Sequence, residues 1–261
     1  MLRIGAVSYL NTKPLIYGLR DRLRGLATLS LNLPSRLADD LAAGRLDVAL
    51  IPSIEYFRGR DYTMVSDAAI ACRGPVWSVR LMCRVPVRRV RTLALDEGSR
   101  TSAAMVQVLL DERFGLRPKT VPFAMEQTAE SVDADAVLMI GDRAMHPPRG
   151  VYREIWDLGD QWVRHTGLPF VFAPWVSRHR EIDPRIAEAL SASRDDGLDH
   201  LRSIAQRYAA AHDLSVDDLH HYFRDNLHFH LGSSEREGLR VYRQKADARG
   251  LIPPQHADCT V

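Results

Sequence analysis

The chain of 261 residues carries 35 Lys plus Arg against 33 Asp plus Glu, is 46% hydrophobic and 7% aromatic, and has a formal net charge of +2. At roughly 150 residues a domain this is one large or two modest domains with a real core, and it is too apolar and too evenly charged for a disordered chain. The dispersed charge lacks the basic stripe that a phosphate backbone requires, so nucleic acid is not expected as a partner, while small anions remain attractive ones.

Cys72, Cys83 and Cys259 are odd in number, far apart and in no CxxC spacing. That pattern argues against a disulfide framework and a thiolate metal site, and suits a reducing compartment. Met1-Leu-Arg-Ile-Gly-Ala-Val7 enters a strand-like run at once, with neither a charged leader nor a cleavage pattern, so a cytoplasmic protein is expected. No window approaches the roughly 20 apolar residues of a membrane span, and no membrane partner is expected.

Leu2 to Val7 reads as a buried strand, Ser8-Tyr-Leu-Asn-Thr-Lys-Pro14 as a polar loop, and the stretch from Leu15 as a helix. Ser35 can cap a helix carrying Leu37 and Leu41, Gly44 can end it, and Asp47-Val-Ala-Leu-Ile51 reads as a strand stopped by Pro52. Val76 to Val85 is apolar enough for a long strand. A second unit then repeats the first: strand Arg91 to Leu95, polar turn Asp96 to Ser102, helix Ala103 to Leu110, strand Asp135 to Ile140. Ile4 to Val48 is 44 residues and Leu93 to Val137 is also 44, which predicts two α/β lobes built to one plan. Leu168 to Val176 supplies a second crossing strand. The expected division is residues 1–85 plus 176–261 for lobe one and 86–175 for lobe two. The return is helical, from the Asp183-Pro184 start, with further helices over 215–227 and 234–248; Ser234 and Glu237 have capping-box spacing, and the tail from Pro253 reads as loose.

In open parallel α/β sheets, ligands bind beyond the carboxyl ends of the strands, where helix N-termini point their N–H groups outward. The loops at those ends, Ser8 to Pro14, Pro52 to Tyr56, Gly74 to Ser78, Ser99 to Ser102, Gly141 to Arg143 and His165 to Pro169, carry hydroxyls, amides and glycines. Such a lining suits a small polycarboxylate. Asn11 is equally a turn residue, and Ser99, Thr101 and Ser102 are equally helix caps. Arg100 reads as solvent-facing or lobe-bridging, and Glu55 and Asp96 as cap or hinge groups. His220, His221, His228 and His230 form the one dense histidine cluster and read as helix-surface residues, so no metal is expected. There is no Walker A loop, GxGxxG, HExxH, EF-hand or GxSxG pattern.

Five ordered segments, Arg3 to Leu15, Gly44 to Tyr56, Gly74-Pro-Val-Trp-Ser-Val79, Ser99-Arg-Thr-Ser102 and Thr166-Gly-Leu-Pro-Phe-Val-Phe-Ala173, together resemble the chorismate dehydratase family of the futalosine route to menaquinone, from about residue 3 to 252. The resemblance implies an α/β, two-lobed fold like the type II periplasmic binding proteins, with a central cleft and two crossing strands. It also implies a cofactor-free lyase that removes water from chorismate to give 3-[(1-carboxyvinyl)oxy]benzoate. On this reading the substrate's own enolpyruvyl carboxylate takes the proton and Asn11 is catalytic, orienting that carboxylate or hydrogen-bonding the departing hydroxyl. Ser8, Ser53, Ser78, Ser99, Thr101, Ser102, Gly141 and Asp142 are the substrate-binding candidates. Two alternatives use the same clamp: a solute-binding or ligand-sensing protein without chemistry, and the later enzyme of the same route that acts on a cyclised futalosine derivative.

Overall fold

The structure, a computed structural model, describes residues 1–146 and 150–253. The chain opens with β1 (Leu2–Val7), runs through 3-10 turns at Leu10–Thr12 and Pro14–Ile16 into the short α1 (Leu19–Arg22), and continues with β2 (Ala27–Asn32), α2 (Pro34–Ala42), β3 (Val48–Leu50), α3 (Ser53–Arg58) and β4 (Thr63–Cys72). A second set follows: β5 (Val79–Cys83), β6 (Thr92–Asp96), α4 (Arg100–Phe114), β7 (Lys119–Phe123), β8 (Ala136–Ile140), β9 (Glu154–Asp157) and α5 (Leu158–Thr166). The return comprises β10 (Phe170–Ser177), α6 (Pro184–Asp199), α7 (Leu201–Tyr208), α8 (Val216–His221), β11 (His228–His230) and α9 (Ser233–Ala248).

Two sheets result, one six-stranded in the order β11-β4-β10-β3-β1-β2 and one five-stranded in the order β7-β6-β8-β5-β9. Each has a parallel heart with its first strand between the other two: β1 between β2 and β3, β6 between β7 and β8. Each heart is then joined by an antiparallel strand, β10 on β3 and β5 on β8. The repeat extends to the strand entrances. Asp47 accepts the Arg3 N–H at 2.8 Å, and Asp135 accepts the Arg91 and Thr92 N–H groups at 2.8 and 2.9 Å, so an aspartate before the third strand of each heart ties down the start of the first.

Several local expectations shift, each for a visible reason. The expected helix from Leu15 is cut to one turn because Gly18 adopts a left-handed φ of 68°. The cap of α2 is Leu33 with Pro34 in its first turn, so Ser35 lies inside the helix. The last helix is capped at Gly232, whose N–H donates to Glu235, in place of the Ser234 and Glu237 pair. The strand expected over 76–85 begins only at Val79, because Asp157 grips the Val76 and Trp77 N–H groups at 2.9 and 2.6 Å and Trp77 takes a φ of 63°. The Ser78 N–H then reaches the Val76 carbonyl at 2.7 Å, the bonding pattern of a γ-turn, which is strained at positive φ. Both crossings fall earlier than the expected breaks at 85/86 and 175/176: β5 already belongs to the second sheet and β10 already to the first. Cys72 and Cys83 are buried free thiols, while the tail from 254 onward, with Cys259, lies outside the described residues. Among the described residues no helix is long and apolar enough to cross a membrane.

The Arg3–Asp47 contact makes a pH prediction. Hydrogen bonding from the Arg3 guanidinium holds the Asp47 carboxyl down to about 2. A carboxyl depressed by folding contributes stability that is full above its unfolded value and is lost as pH falls through its folded value. The urea midpoint of Asp47→Asn should therefore decline less than that of the parent between about pH 5 and about pH 2; parallel declines would remove Asp47 as an acid-sensitive tie.

Candidate functional site

The cleft between the sheets holds a pocket of about 510 Å³, counting its open mouth. Its walls come from the carboxyl ends of β1 and β8, the loops that follow them, the N-terminus of α4, the start of β5 and the middle of β10. Of the candidates read from the sequence, Asn11, Ser78, Ser99, Thr101, Ser102 and Gly141 line it; Ser8, Ser53 and Asp142 do not.

Asn11 sits in the 3-10 turn after β1, between the buried Leu10 and Thr12. The Thr12 hydroxyl donates to Asn11 Oδ1 at 3.2 Å, which leaves the Asn11 amide NH₂ at the pocket wall without a partner among the described residues. The loop is held from behind by Pro14, whose carbonyl lies so close to Gly197 of α6 that a Cβ there would come within 1.9 Å of it.

On the opposite wall, α4 presents its N-terminus. The Ser99 hydroxyl accepts the Ser102 N–H at 3.2 Å as a helix cap, which leaves the first-turn N–H groups of Arg100 and Thr101 without intrahelical partners. Ser102 is a buried residue at the pocket wall. Thr101 is committed across the cleft: its hydroxyl donates to the Phe172 carbonyl and accepts the Ile54 N–H, both at 3.3 Å, while its own carbonyl accepts from Tyr242 at 2.9 Å. Ser78 accepts from the fully buried Tyr222 hydroxyl at 2.8 Å and turns its own O–H to the Val76 carbonyl at a long 3.5 Å, and burial pushes the Tyr222 phenol well above its ordinary range.

Three candidates are corrected by these contacts. Ser53 spends its hydroxyl on the Val171 carbonyl at 2.8 Å, beneath the wall, because Pro52 is the residue that reaches the pocket. Ser8 is half-buried outside the lining; its N–H donates to Asn32, and its carbonyl accepts from Lys13 Nζ at 3.2 Å. Asp142 turns away from the pocket and accepts the Leu10 N–H at 3.0 Å, with His212 Nδ1 at 3.5 Å from its other oxygen. Burial raises the Asp142 pKa against the opposing pull of the Leu10 N–H, His212, Lys13 and His146.

Among the described residues, no charged side chain lines the pocket. Arg100, the nearest cation at the α4 terminus, is held by Asp39 at 2.9 Å and Glu55 at 3.4 Å and so bridges the lobes. Asp96 lies under the β8 end, neutralised by Arg143 and further bonded by the Gly98 N–H at 2.9 Å. Apart from Tyr9, the rest of the lining is apolar, including Val7, Ile70, Val79, Phe172 and Leu227. Neutral donors around an apolar slot can hold an unsaturated ring bearing carboxylates without supplying a strong base. Among the described residues no three His, Cys, Asp or Glu side chains converge as a metal site: His221 pairs with Asp225 and His228 faces Glu235.

Tyr9, Tyr222 and Leu227 were not singled out from the sequence. Tyr9 stands inside a quoted segment; Tyr222 reaches Ser78 from 144 residues away, with no local signal. Tyr222→Phe removes the bond that orients the Ser78 hydroxyl while keeping the ring packed against Trp77. Substrate affinity should fall about 3- to 10-fold, one hydrogen bond's worth, with little change in thermal stability. An unchanged affinity would separate Ser78 from ligand binding.

A family model described as menaquinone biosynthesis matches residues 2–248. A chorismate dehydratase of Thermus thermophilus is 33% identical over 269 residues, covering 95% of each chain. Among solved structures, a protein of Archaeoglobus fulgidus superposes with a TM-score of 0.71 at 15% identity, covering 96% of this chain and 98% of its own. The periplasmic aliphatic sulphonate binding protein of Escherichia coli superposes with a TM-score of 0.63 at 14% identity, covering 97% and 94%. At such identities the structural likeness concerns architecture, and the architecture is that of the periplasmic binding proteins.

Proposed function

The chain belongs to the menaquinone-biosynthesis family, and from that premise we propose that it is a chorismate dehydratase, a hydro-lyase that converts chorismate to 3-[(1-carboxyvinyl)oxy]benzoate and water. The observation that carries this reading is the pocket lining: amide, hydroxyls and helix N–H groups around an apolar slot, with no ionised side chain among the described residues that form it. A solute-binding protein would need the same grip, but the full-length likeness to an enzyme of this name favours chemistry.

The reaction asks little acid–base machinery of the protein. The hydrogen on the ring carbon bearing the enolpyruvyl ether is acidified through the diene by the ring carboxylate. Its loss leaves charge spread onto that carboxylate, and the neighbouring C–O bond breaks as the ring becomes aromatic. The departing hydroxide and the abstracted proton together make the water released. Ser78, Ser102 and the free N–H groups of α4 stabilise the carboxylates, where the helix N-terminus adds about 0.3–1 kcal/mol for each exposed anionic group and up to about 2 when partly buried. Asn11 directs its NH₂ at the enolpyruvyl carboxylate, which takes the proton, or at the leaving hydroxyl. Ser99, Thr101 and Gly141 shape the wall. The pocket also holds one conformer of a substrate that can otherwise rearrange or eliminate pyruvate.

We place the enzyme in the cytoplasm, in keeping with its buried free thiols. The test is direct: purified protein and chorismate, followed by the substituted-benzoate absorbance and by a mass loss of one water, with no metal or nucleotide added. Chorismate recovered unchanged from folded protein would sink the assignment, and inhibition by a chelator would sink the cofactor-free form of it.

A further inference from the structure

The loop that carries Asn11 leaves the first sheet, yet its backbone is bonded by the second lobe. The Leu10 N–H opens the 3-10 turn Leu10–Thr12, a position whose donor has no partner within the turn, and it donates at 3.0 Å to Asp142, which opens the 3-10 turn after β8. The Leu10 side chain is fully buried, and the turn it opens follows β1 of the first sheet, so its N–H bond to Asp142 spans the two lobes. Beside this bond, Tyr9 fits against two glycines of the second lobe. A Cβ at Gly141 would lie 3.0–3.1 Å from the Tyr9 ring, and one at Gly98 would lie 3.0 Å from the Tyr9 hydroxyl. Gly141 also has a φ of 68° and a ψ of −158°, a conformation open to glycine. His212 stands at 3.5 Å on the far oxygen of Asp142, and His146 Nε2 lies 2.9 Å from the His212 carbonyl, so the aspartate is held from behind.

We infer that Asp142 is a positioning residue, the cross-cleft acceptor that fixes the turn bearing Asn11 when the two lobes are together, with Tyr9 in its glycine slot setting the approach. This rests on the dehydratase reading for its kinetic consequence but not for its structural one. Asp142 acts through the Leu10 backbone and touches no substrate, so its loss shows in the placement of Asn11 more than in the grip on the ligand.

The test uses the full chain carrying Asp142→Ala or Asp142→Asn, the second keeping an acceptor oxygen for the Leu10 N–H. Hydrogen exchange of the 8–14 segment is followed first, without substrate. Asp142→Ala should exchange at least about tenfold faster there than the parent, and Asp142→Asn should stay within about threefold of it. With chorismate, Asp142→Ala should lose about tenfold or more in kcat with KM changed less than about threefold, and Asp142→Asn should recover most of that loss. Equal exchange in all three proteins overturns the inference, as does an Asn variant no better than the Ala variant in both exchange and kcat. A parent inert toward chorismate would defeat the dehydratase assignment alone, since the exchange result still decides the latch. Should Asp142→Ala not fold, Gly98→Ala crowds the Tyr9 hydroxyl with Asp142 intact; it should loosen the 8–14 segment likewise, and unchanged exchange in it overturns the inference.

Discussion

Replacing Asn11 with alanine is expected to lower chorismate turnover by about 10²–10³-fold or more while leaving substrate affinity within about tenfold, the pattern of a group whose bonds matter chiefly in the transition state. The affinity should survive because the other donors, Ser78, Ser102 and the α4 terminus, are supported by separate elements and are untouched by the change. Fold stability should hold as well. Asn11 is half-buried, its side chain has a single bond within the protein, from Thr12, and the turn is anchored by the buried Leu10, Thr12 and Pro14 on either side. Single-turnover absorbance at saturating chorismate, together with calorimetric binding of the benzoate product, separates the two quantities. Near-parental turnover in the alanine variant would take Asn11 out of the chemistry.

Ser102→Asp is the second large effect. Ser102 is the third residue of α4, where a carboxylate suits the helix, and it is at the pocket wall, where a carboxylate meets a dianion. Two unit charges about 4 Å apart at an effective dielectric near 20 oppose each other by about 4 kcal/mol, so affinity should drop by roughly 10²–10³-fold. Ser102→Ala, which only removes one neutral donor, should lose no more than about tenfold. The contrast between the two variants is the measurement. If both bind chorismate alike, no substrate carboxylate lies near α4. High salt should leave the loss largely in place, because a pair inside a closed cleft is poorly screened.

Much of the architecture is legible because burial on both faces of a parallel strand leaves a continuous apolar run, as in β1, β3, β6 and β8. The repeated spacing is physical in the first lobe, where Ile4 pairs with Val48, and one residue off in the second, where Val137 pairs with Ala94 and Leu93 with Ala136. Strand β4 gave no such signal. Its run Ala68-Ala-Ile-Ala-Cys72 is weak strand material by propensity, and it is extended because β10 and β11 bond both its edges. The edge strand β2 is half exposed and carries no continuous apolar run. At the site, residues within one loop were legible and partners far apart were not. Asp142 looks like a ligand group in its own loop, and only the arrival of Leu10, 132 residues earlier, gives its carboxylate another use. Ser53 belongs to the same class of error, since a hydroxyl beside a strand end serves a backbone carbonyl as readily as a ligand.

The place of β10 in the first sheet bears on how the polypeptide emerges from the ribosome. That strand lies between β3 and β4, so in a nascent chain that has completed β4 the β3-β1-β2 group and β4 have no ladder between them. Every strand of the five-stranded sheet, by contrast, falls within residues 79–157, and that lobe can finish as a unit while the earlier segments wait. Its completion brings the two points of insertion together, shortening the effective loop that β10 must close when it enters between β3 and β4. The second lobe thus has all its strands in hand while the first still lacks β10 and β11.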